Sequence, residues 1–294
     1  MFKKKKKIGH LPFILPAIIF ILSLTLYPVL YAFYLSFTDA SLLYPTKSFV
    51  GVRNYTDLLS SPIFFAIMQN TFIFVFSCVF LQFTLGLGLA LALNQKLRGR
   101  VLVRVLLLIS WVIPGIIIGL IFQWMFIGDR YGLINYCLIS LGVKPVEWLS
   151  HPLSAMLSLI AANTWRGTAF SMIIQLAALQ TIPDEQYEAA NVDGASSLQK
   201  FYYITLPWLK PTILINIIMI TLATFNTFDL VMSLTGGGPV RATEVISLYM
   251  YKEGFAFFKL GSASALAMIM FLVNIVFTLI YIRVLRQDQE VSLV

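Results

Sequence analysis

The chain has 294 residues, 59% of them hydrophobic and only 12% charged, with a mean hydropathy of +0.85. Soluble domains are roughly a quarter charged, so this composition excludes a water-soluble enzyme. The formal charge of +8 does not indicate nucleic acid, because five of the charges are the run Lys3–Lys7 beside an apolar stretch, a topology signal of membrane proteins.

A bilayer core about 30 Å thick needs roughly 20 apolar residues in helical form. Six stretches meet that length: Leu11–Phe37, Ala66–Leu93, Val101–Ile127, Leu153–Leu179, Thr212–Leu234 and Gly261–Leu285. They predict an all-α, multi-pass membrane protein, a single transmembrane domain over residues 1–294 with no connection long enough for a sizeable soluble domain. The first stretch is too long for a secretory leader and no small-residue cleavage pattern follows it, so it reads as a retained span. The second carries Cys78, Asn70 and Gln82, the third the pair Gly115 and Gly119, whose spacing suits close helix packing. Cys137 reads as part of a short loop, and the two cysteines imply no disulfide framework. His10 and His151 are too far apart in sequence to suggest a metal site.

The fourth span holds Asn163, Thr164, Trp165 and Arg166. An arginine at mid-membrane costs about 2.5–3.5 kcal/mol on insertion scales, so Arg166 should face a wet cavity or partners. Asn163 reads equally well as a helix–helix hydrogen bond. The fifth span adds Asn216, Thr221, Thr224, Phe225, Asn226, Thr227 and Asp229, with Thr221, Thr224 and Phe228 on one face of a continuous helix. At 1.5 Å per residue, Arg166 lies about 20 Å and Asp229 about 9 Å below the outer ends of their spans, which predicts two separate positions. Rings beside amides, hydroxyls and a carboxylate suit a neutral polyol, with Asn163, Trp165, Arg166, Thr224, Phe225, Asn226 and Asp229 the candidate solute pathway. Asn274 of the sixth span is a further candidate. Gly236-Gly237-Gly238-Pro239 cannot continue a helix and ends the fifth span in a turn.

Between the fourth and fifth spans, residues 181–211 form a connection that looks structured. Thr181-Ile-Pro-Asp184 fits a capping box, with Asp184 and Glu185 suited to the helix dipole. Ser196-Ser-Leu-Gln199 fits a second, so the expected form is helix, turn at Gly194, helix, ending near Pro207. Helices that rest on lipid carry basic residues and large apolar ones. This one is acidic and small, which favours a protein partner docking on Glu188, Ala189, Ala190, Asp193 and Gly194.

Lysine and arginine near the span ends set orientation. With the N-terminus inside, the inner faces hold Lys3–Lys7, Lys96, Arg98, Arg100, Arg104, Lys200, Lys210, Arg283 and Arg286. The outer loops hold Lys47, Arg53, Arg130, Lys144, Arg241, Lys252 and Lys259, thirteen against seven. Both termini are therefore predicted to be cytoplasmic.

Glu188-Ala189-Ala190, then Gly194, then Ile204-Thr-Leu-Pro207 resembles the EAA loop of permease subunits of binding-protein-dependent ABC importers. Phe225-Asn-Thr-Phe-Asp229-Leu, Leu234-Thr-Gly-Gly-Gly-Pro239, Thr243 and Tyr249 are similar to the maltose and glycerol-3-phosphate type of carbohydrate permease. The chain lacks the large outer insertion and extra N-terminal helices of the maltose subunit itself and resembles the shorter six-span relatives. The resemblance implies a coupling helix at Glu188–Gly194, with Phe201 and Pro207, seated on a cytoplasmic ATPase subunit. It also implies a solute site in spans four to six and an outer loop, Gly236–Pro239, meeting a receptor. The implied partners are a second, non-identical permease, two ATPase subunits and an extracytoplasmic solute-binding protein, in a bacterial or archaeal cytoplasmic membrane. No cofactor, metal or nucleic acid is expected on this chain. ATP and Mg would belong to the ATPase, since no GxxxxGK[ST] loop is present, and the chain would catalyse no reaction. Two rival readings stand beside the sugar importer: an ABC permease for a non-sugar solute such as glycerol-3-phosphate, and a proton- or sodium-driven carrier. The last predicts inverted repeats, which the sequence does not show.

Overall fold

The computed structural model describes residues 11–95 and 98–291, with side chains for 14–95 and 98–283. The Lys3–Lys7 run, His10 and Lys96 lie outside the described residues, as does the Arg286 side chain. Thirteen α-helices are defined among the described residues: α1 Leu11–Leu35, α2 Arg53–Leu59, α3 Pro62–Asn94, α4 Arg100–Val112, α5 Gly115–Met125, α6 Leu133–Ser140, α7 Pro152–Leu179, α8 Asp184–Val192, α9 Ser197–Lys200, α10 Leu206–Phe225, α11 Asp229–Leu234, α12 Ile246–Tyr251 and α13 Leu260–Val291. Two π turns, Phe201–Thr205 and Lys252–Ala256, join neighbours in this series. Only isolated bridges, Thr38 with Phe49 and Ser41 with Lys259, represent β structure among the described residues. The protein is all-α, as its composition predicts.

Four helices among the described residues are long and apolar enough to cross a membrane, five if the bent pair α4 and α5 counts as one span. Helix α7 is 28 residues long but less apolar, because fifteen of its residues are buried against protein and several are polar.

Two predicted spans prove discontinuous. The stretch Val101–Ile127 is two helices meeting at 99°. Pro114 has no N–H to donate and forces Ile113 into extended backbone (ψ 131°), which ends α4. The stretch Thr212–Leu234 likewise breaks after Phe225. Asn226 Nδ2 donates to the Leu222 carbonyl (2.7 Å) and the Thr227 hydroxyl to that of Ala223 (2.9 Å), so side chains satisfy the last turn and the helix need not continue. Phe228 is therefore off the face of Thr221 and Thr224. In the other direction the helix does not end near Pro207. It runs unbroken from Ser197 to Phe225, because the π turn absorbs the missing Pro207 N–H. Cys137 lies within α6 rather than in a loop.

The chain divides into two compact units. One comprises Met1–Ser61 with Met250–Phe271. Within it Asn54 Nδ2 donates to the carbonyls of Ser36 (2.8 Å) and Thr38 (2.9 Å), and Ser41 Oγ donates to the Phe258 carbonyl (2.9 Å). Lys47 Nζ stands over the rings of Tyr31 (5.3 Å) and Tyr34 (5.0 Å).

The other unit, Pro62–Tyr249 with Leu272–Val294, is built on α3 packed along α7. Gly86 faces Ser171 and Gly167 faces Gln82, at both of which an added Cβ would strike the opposing side chain. That close approach lets Gln82 Nε2 reach the Asn163 carbonyl (3.1 Å) and Gln175 Nε2 the Phe83 carbonyl (3.3 Å). Interhelical bonds of this kind average roughly 0.6 kcal/mol in membrane proteins. An apolar cluster around Phe74, Ile118, Leu159, Leu230 and Leu248 fills one part of the unit, and another around Met172, Leu176, Leu179 and Leu209 the other.

Candidate functional site

Arg166 sits at mid-length on α7, and Asp229 opens α11 just after the break in the fifth span. The break places α11 beside α5 and α7 instead of extending α10 outward. As a result Arg166 Nη1 lies 3.4 Å from Asp229 Oδ1, with side chains 28% and 31% exposed. The predicted separation is thus corrected: it assumed a uniform helical rise through residues 226–228, where no helix exists. Gly115, the first residue of α5, lies directly beneath the pair, and a Cβ there would collide with the Asp229 carboxylate and stand 2.7 Å from Arg166 Nη1. Gly119, one turn on, meets Ser233 in the same way. The close-packing role predicted for these two glycines is the one they have.

The remaining pathway candidates divide by burial. Trp165 is 46% exposed, with its ring 5.7 Å from that of Phe122. Asn226 is exposed, and its Oδ1 accepts from Asn274 Nδ2 at 3.4 Å. Asn163, Thr224 and Phe225 are buried, at 4%, 3% and 1% exposure, and Phe225 packs edge-on against Phe277 of α13. The accessible polar set is therefore Trp165 and Asn226, which are exposed, with Arg166 and Asp229, which are half-buried. The sequence reading missed Ser233, Phe277 and Tyr281, whose hydroxyl is 3.0 Å from that of Thr221. Ser233 lies four residues after Asp229, a spacing that could have revealed it. A groove of about 440 Å³ lined by Ile117, Leu120, Ile121, Trp124, Met125, Tyr131 and Leu133 contains neither Arg166 nor Asp229.

On α8, Asp184 and Glu185 occupy the first turn, as expected, and no residue of the helix is buried. The Thr181 capping box does not form. Pro183 is the N-cap, and the Thr181 hydroxyl donates to the Ala178 carbonyl instead (2.8 Å). Gly194 reverses the chain at φ +74°, a conformation glycine adopts without side-chain strain, with open space where a Cβ would lie. The Ala195 N–H closes the turn on the Ala190 carbonyl (2.9 Å). The Ser196–Gln199 capping box is present in both directions. Glu188, Ala189, Asp193 and Pro207 are exposed, Ala190 and Phe201 half-buried. The hairpin is pinned by the Tyr187 and Thr205 hydroxyls (2.9 Å) and by Lys200 Nζ donating to Asn191 Oδ1 (2.7 Å).

Beyond α11, Gly236, Gly237, Gly238 and Pro239 form the predicted turn, whose tip is Val240 at 94% exposure. Val240 (φ 49°) and Arg241 (φ 63°) hold left-handed backbone that non-glycine residues seldom adopt. Asn70 Nδ2 fastens the loop to α3 through the Arg241 carbonyl (2.9 Å), and Arg241 Nε pairs with buried Glu244 at 3.6 Å.

A family model described as a binding-protein-dependent transport system inner membrane component matches residues 82–287. The trehalose/maltose transport system permease protein MalF of Thermococcus litoralis is 39% identical over 286 residues, covering 96% of this chain and 95% of that protein. The sulfoquinovosyl glycerol transport system permease protein SmoG of Agrobacterium fabrum is 37% identical over 272 residues, covering 92% and 88%. Among solved structures, a chain of a bacterial alginate ABC transporter, in complex with an alginate pentasaccharide-bound periplasmic protein, matches with a TM-score of 0.78 at 25% identity, covering 92% and 91%.

Proposed function

The chain belongs to the family of inner membrane components of binding-protein-dependent transport systems, and from that premise we propose that it is the permease of an ATP-driven importer of a saccharide or glycoside. Its role is transport rather than catalysis, and it is a multi-pass membrane protein. We read the chain as one transmembrane permease domain of six spans, counting α7 and the bent pair α4–α5 as one each, with both termini in the cytoplasm.

The observation that carries the coupling reading is the α8 hairpin. None of its residues is buried, only Tyr187 and Ala190 are half-buried, and it is held at its base by Tyr187, Thr205, Lys200 and Asn191. A helix so presented, acidic and small, suits a cleft in a cytoplasmic ATPase subunit. Glu188, Ala189, Ala190, Asp193 and Gly194 would line that contact, with Phe201 and Pro207 fixing its junction to α10. ATP and Mg would be held by the ATPase. Its closure would drive alternating access across a pair of permeases.

For the solute, the polar set Trp165, Arg166, Asn226 and Asp229 offers a ring for a sugar C–H face and donors and acceptors for hydroxyls. Asn163, Thr224 and Phe225 support it from the interior. Arg166 and Asp229 neutralise each other, so the pair presents a small phosphate ester with no net positive charge. This favours a saccharide over glycerol-3-phosphate. The Gly236–Pro239 turn would meet an extracytoplasmic solute-binding protein. The test is ATP turnover by the reconstituted importer with its receptor, screened against saccharides, glycerol-3-phosphate and amino acids. Stimulation by a saccharide is expected, and stimulation by glycerol-3-phosphate alone would overturn the solute reading.

A further inference from the structure

Helix α11 is gripped at both ends by the segment that follows the outer loop. At its C-terminal end, the Thr243 hydroxyl donates to the Gly238 carbonyl (2.6 Å) and lies 2.7 Å from the Thr235 hydroxyl. At its N-terminal end, Ser247 Oγ donates to the Thr227 carbonyl (2.6 Å), in the break that precedes Asp229. Thr243 is wholly buried and Ser247 only 2% exposed, so the Ser247 bond is shielded from water and the Thr243 bonds, to half-buried Thr235 and Gly238, partly so. Two residues of α3 hold the same segment from the other side: Asn70 through the Arg241 carbonyl, and Thr71 Oγ1 by accepting the Ile246 N–H at 2.9 Å.

We propose that Thr243 and Ser247 are positioning residues that carry receptor docking at the Val240 tip through α11 to the Arg166–Asp229 pair. The inference rests on the reading that this loop faces the solute-binding protein. The connection is continuous through backbone and hydrogen bonds together: from the tip along the backbone to Gly238, by hydrogen bonds through Thr243 to Thr235 and so to α11 and Asp229, and in parallel along the backbone from Thr243 to Ser247 and by its hydroxyl to Thr227. Six-residue α11 is too short to absorb a displacement by bending, and its inner face is packed through Leu230, Val231 and Leu234. Asn70 and Thr71 act as the fulcrum. Movement of the tip therefore shifts Asp229 relative to Arg166, which stays on α7. A receptor that binds the displaced loop more tightly thereby favours the state in which the pair is parted.

The test uses the complete importer with its receptor and compares Ser247→Ala, Thr243→Val and Thr243→Ser with the parent. Basal ATP turnover should be unchanged in all three and each should still bind the receptor, which also establishes that the variants fold and assemble. Receptor-stimulated turnover should fall by about tenfold in Ser247→Ala and Thr243→Val, within the usual range of coupling free energies, and return in Thr243→Ser. A fourth variant, Val240→Asp, separates the two readings. Loss of receptor affinity in Val240→Asp, together with full stimulation in Ser247→Ala and Thr243→Val, overturns the linkage alone. Unchanged receptor affinity in Val240→Asp overturns the docking reading on which it stands.

Discussion

Arg166 of α7 and Asp229 of α11 meet at 3.4 Å although 63 residues and a broken helix separate them in sequence. The contact exists because the chain abandons helical geometry at 226–228 and restarts at Asp229. Both side chains keep about a third of their surface, so removing one partner should cost about 1–3 kcal/mol, between the loss of an exposed pair and the stranding of a fully buried charge. Asp229→Asn should lower the melting temperature and impair uptake. The exchange Arg166→Asp with Asp229→Arg should restore most of the stability. Additive losses in the double variant would show that the two charges do not depend on each other.

A side chain at Gly115 is predicted to displace the Asp229 carboxylate and disturb its contact with Arg166. Gly115→Ala drives a methyl group into the Asp229 carboxylate, which should cost about 1–3 kcal/mol as an overpacked contact. Gly119→Ala should behave alike against Ser233, and Ser233→Ala should relieve it in part by removing the colliding hydroxyl. Thermal unfolding of the four variants in detergent measures this, and equal stability of Gly115→Ala and the parent contradicts it.

Gly194 poses the opposite case. There is open space around it, so Gly194→Leu costs only left-handed backbone strain, about 1–2 kcal/mol. The variant should insert and fold while solute-stimulated ATP turnover is lost, because bulk appears where a partner backbone is expected. Normal uptake with the ATPase still attached would remove the coupling assignment.

Asn135, the buried residue of α6, donates to the Ile127 (3.2 Å) and Val146 (3.0 Å) carbonyls and accepts from the Val146 N–H and Trp148 Nε1, each at 3.0 Å. Asn135→Ala leaves four groups seeking partners and should destabilise the 127–150 segment by about 2–3 kcal/mol. Faster amide exchange confined to that segment is the expected signature. Uniform exchange across the chain would contradict a local role.

Hydropathy made the helices legible, and the Gly194 turn and Ser196 cap could be read from local residue chemistry. The breaks at Pro114 and Asn226 went unread although the proline and the polar run Asn226-Thr227-Phe228-Asp229 mark them locally, because the spans were judged by hydropathy summed over their whole length. A membrane span is recognised by greasiness, which is the same for one straight helix and two bent ones. The error then propagated: a uniform rise set Asp229 too far from Arg166. The positions that Ser247 and Thr243 grip could not be read for a related reason, since they depend on which carbonyl each hydroxyl reaches across a turn, although Thr243 itself is part of the recognised pattern. The glycines of α5 were readable as packing positions, but what they pack against depended on the break.

The central claim is that this chain moves solute only when driven by an ATPase docked beneath it. Uptake of radiolabelled saccharide should be measured in proteoliposomes holding either the complete importer or this chain alone, with and without enclosed ATP and with receptor outside. The account predicts accumulation by the complete importer with ATP and none in the other three conditions. Accumulation by the chain alone would contradict it.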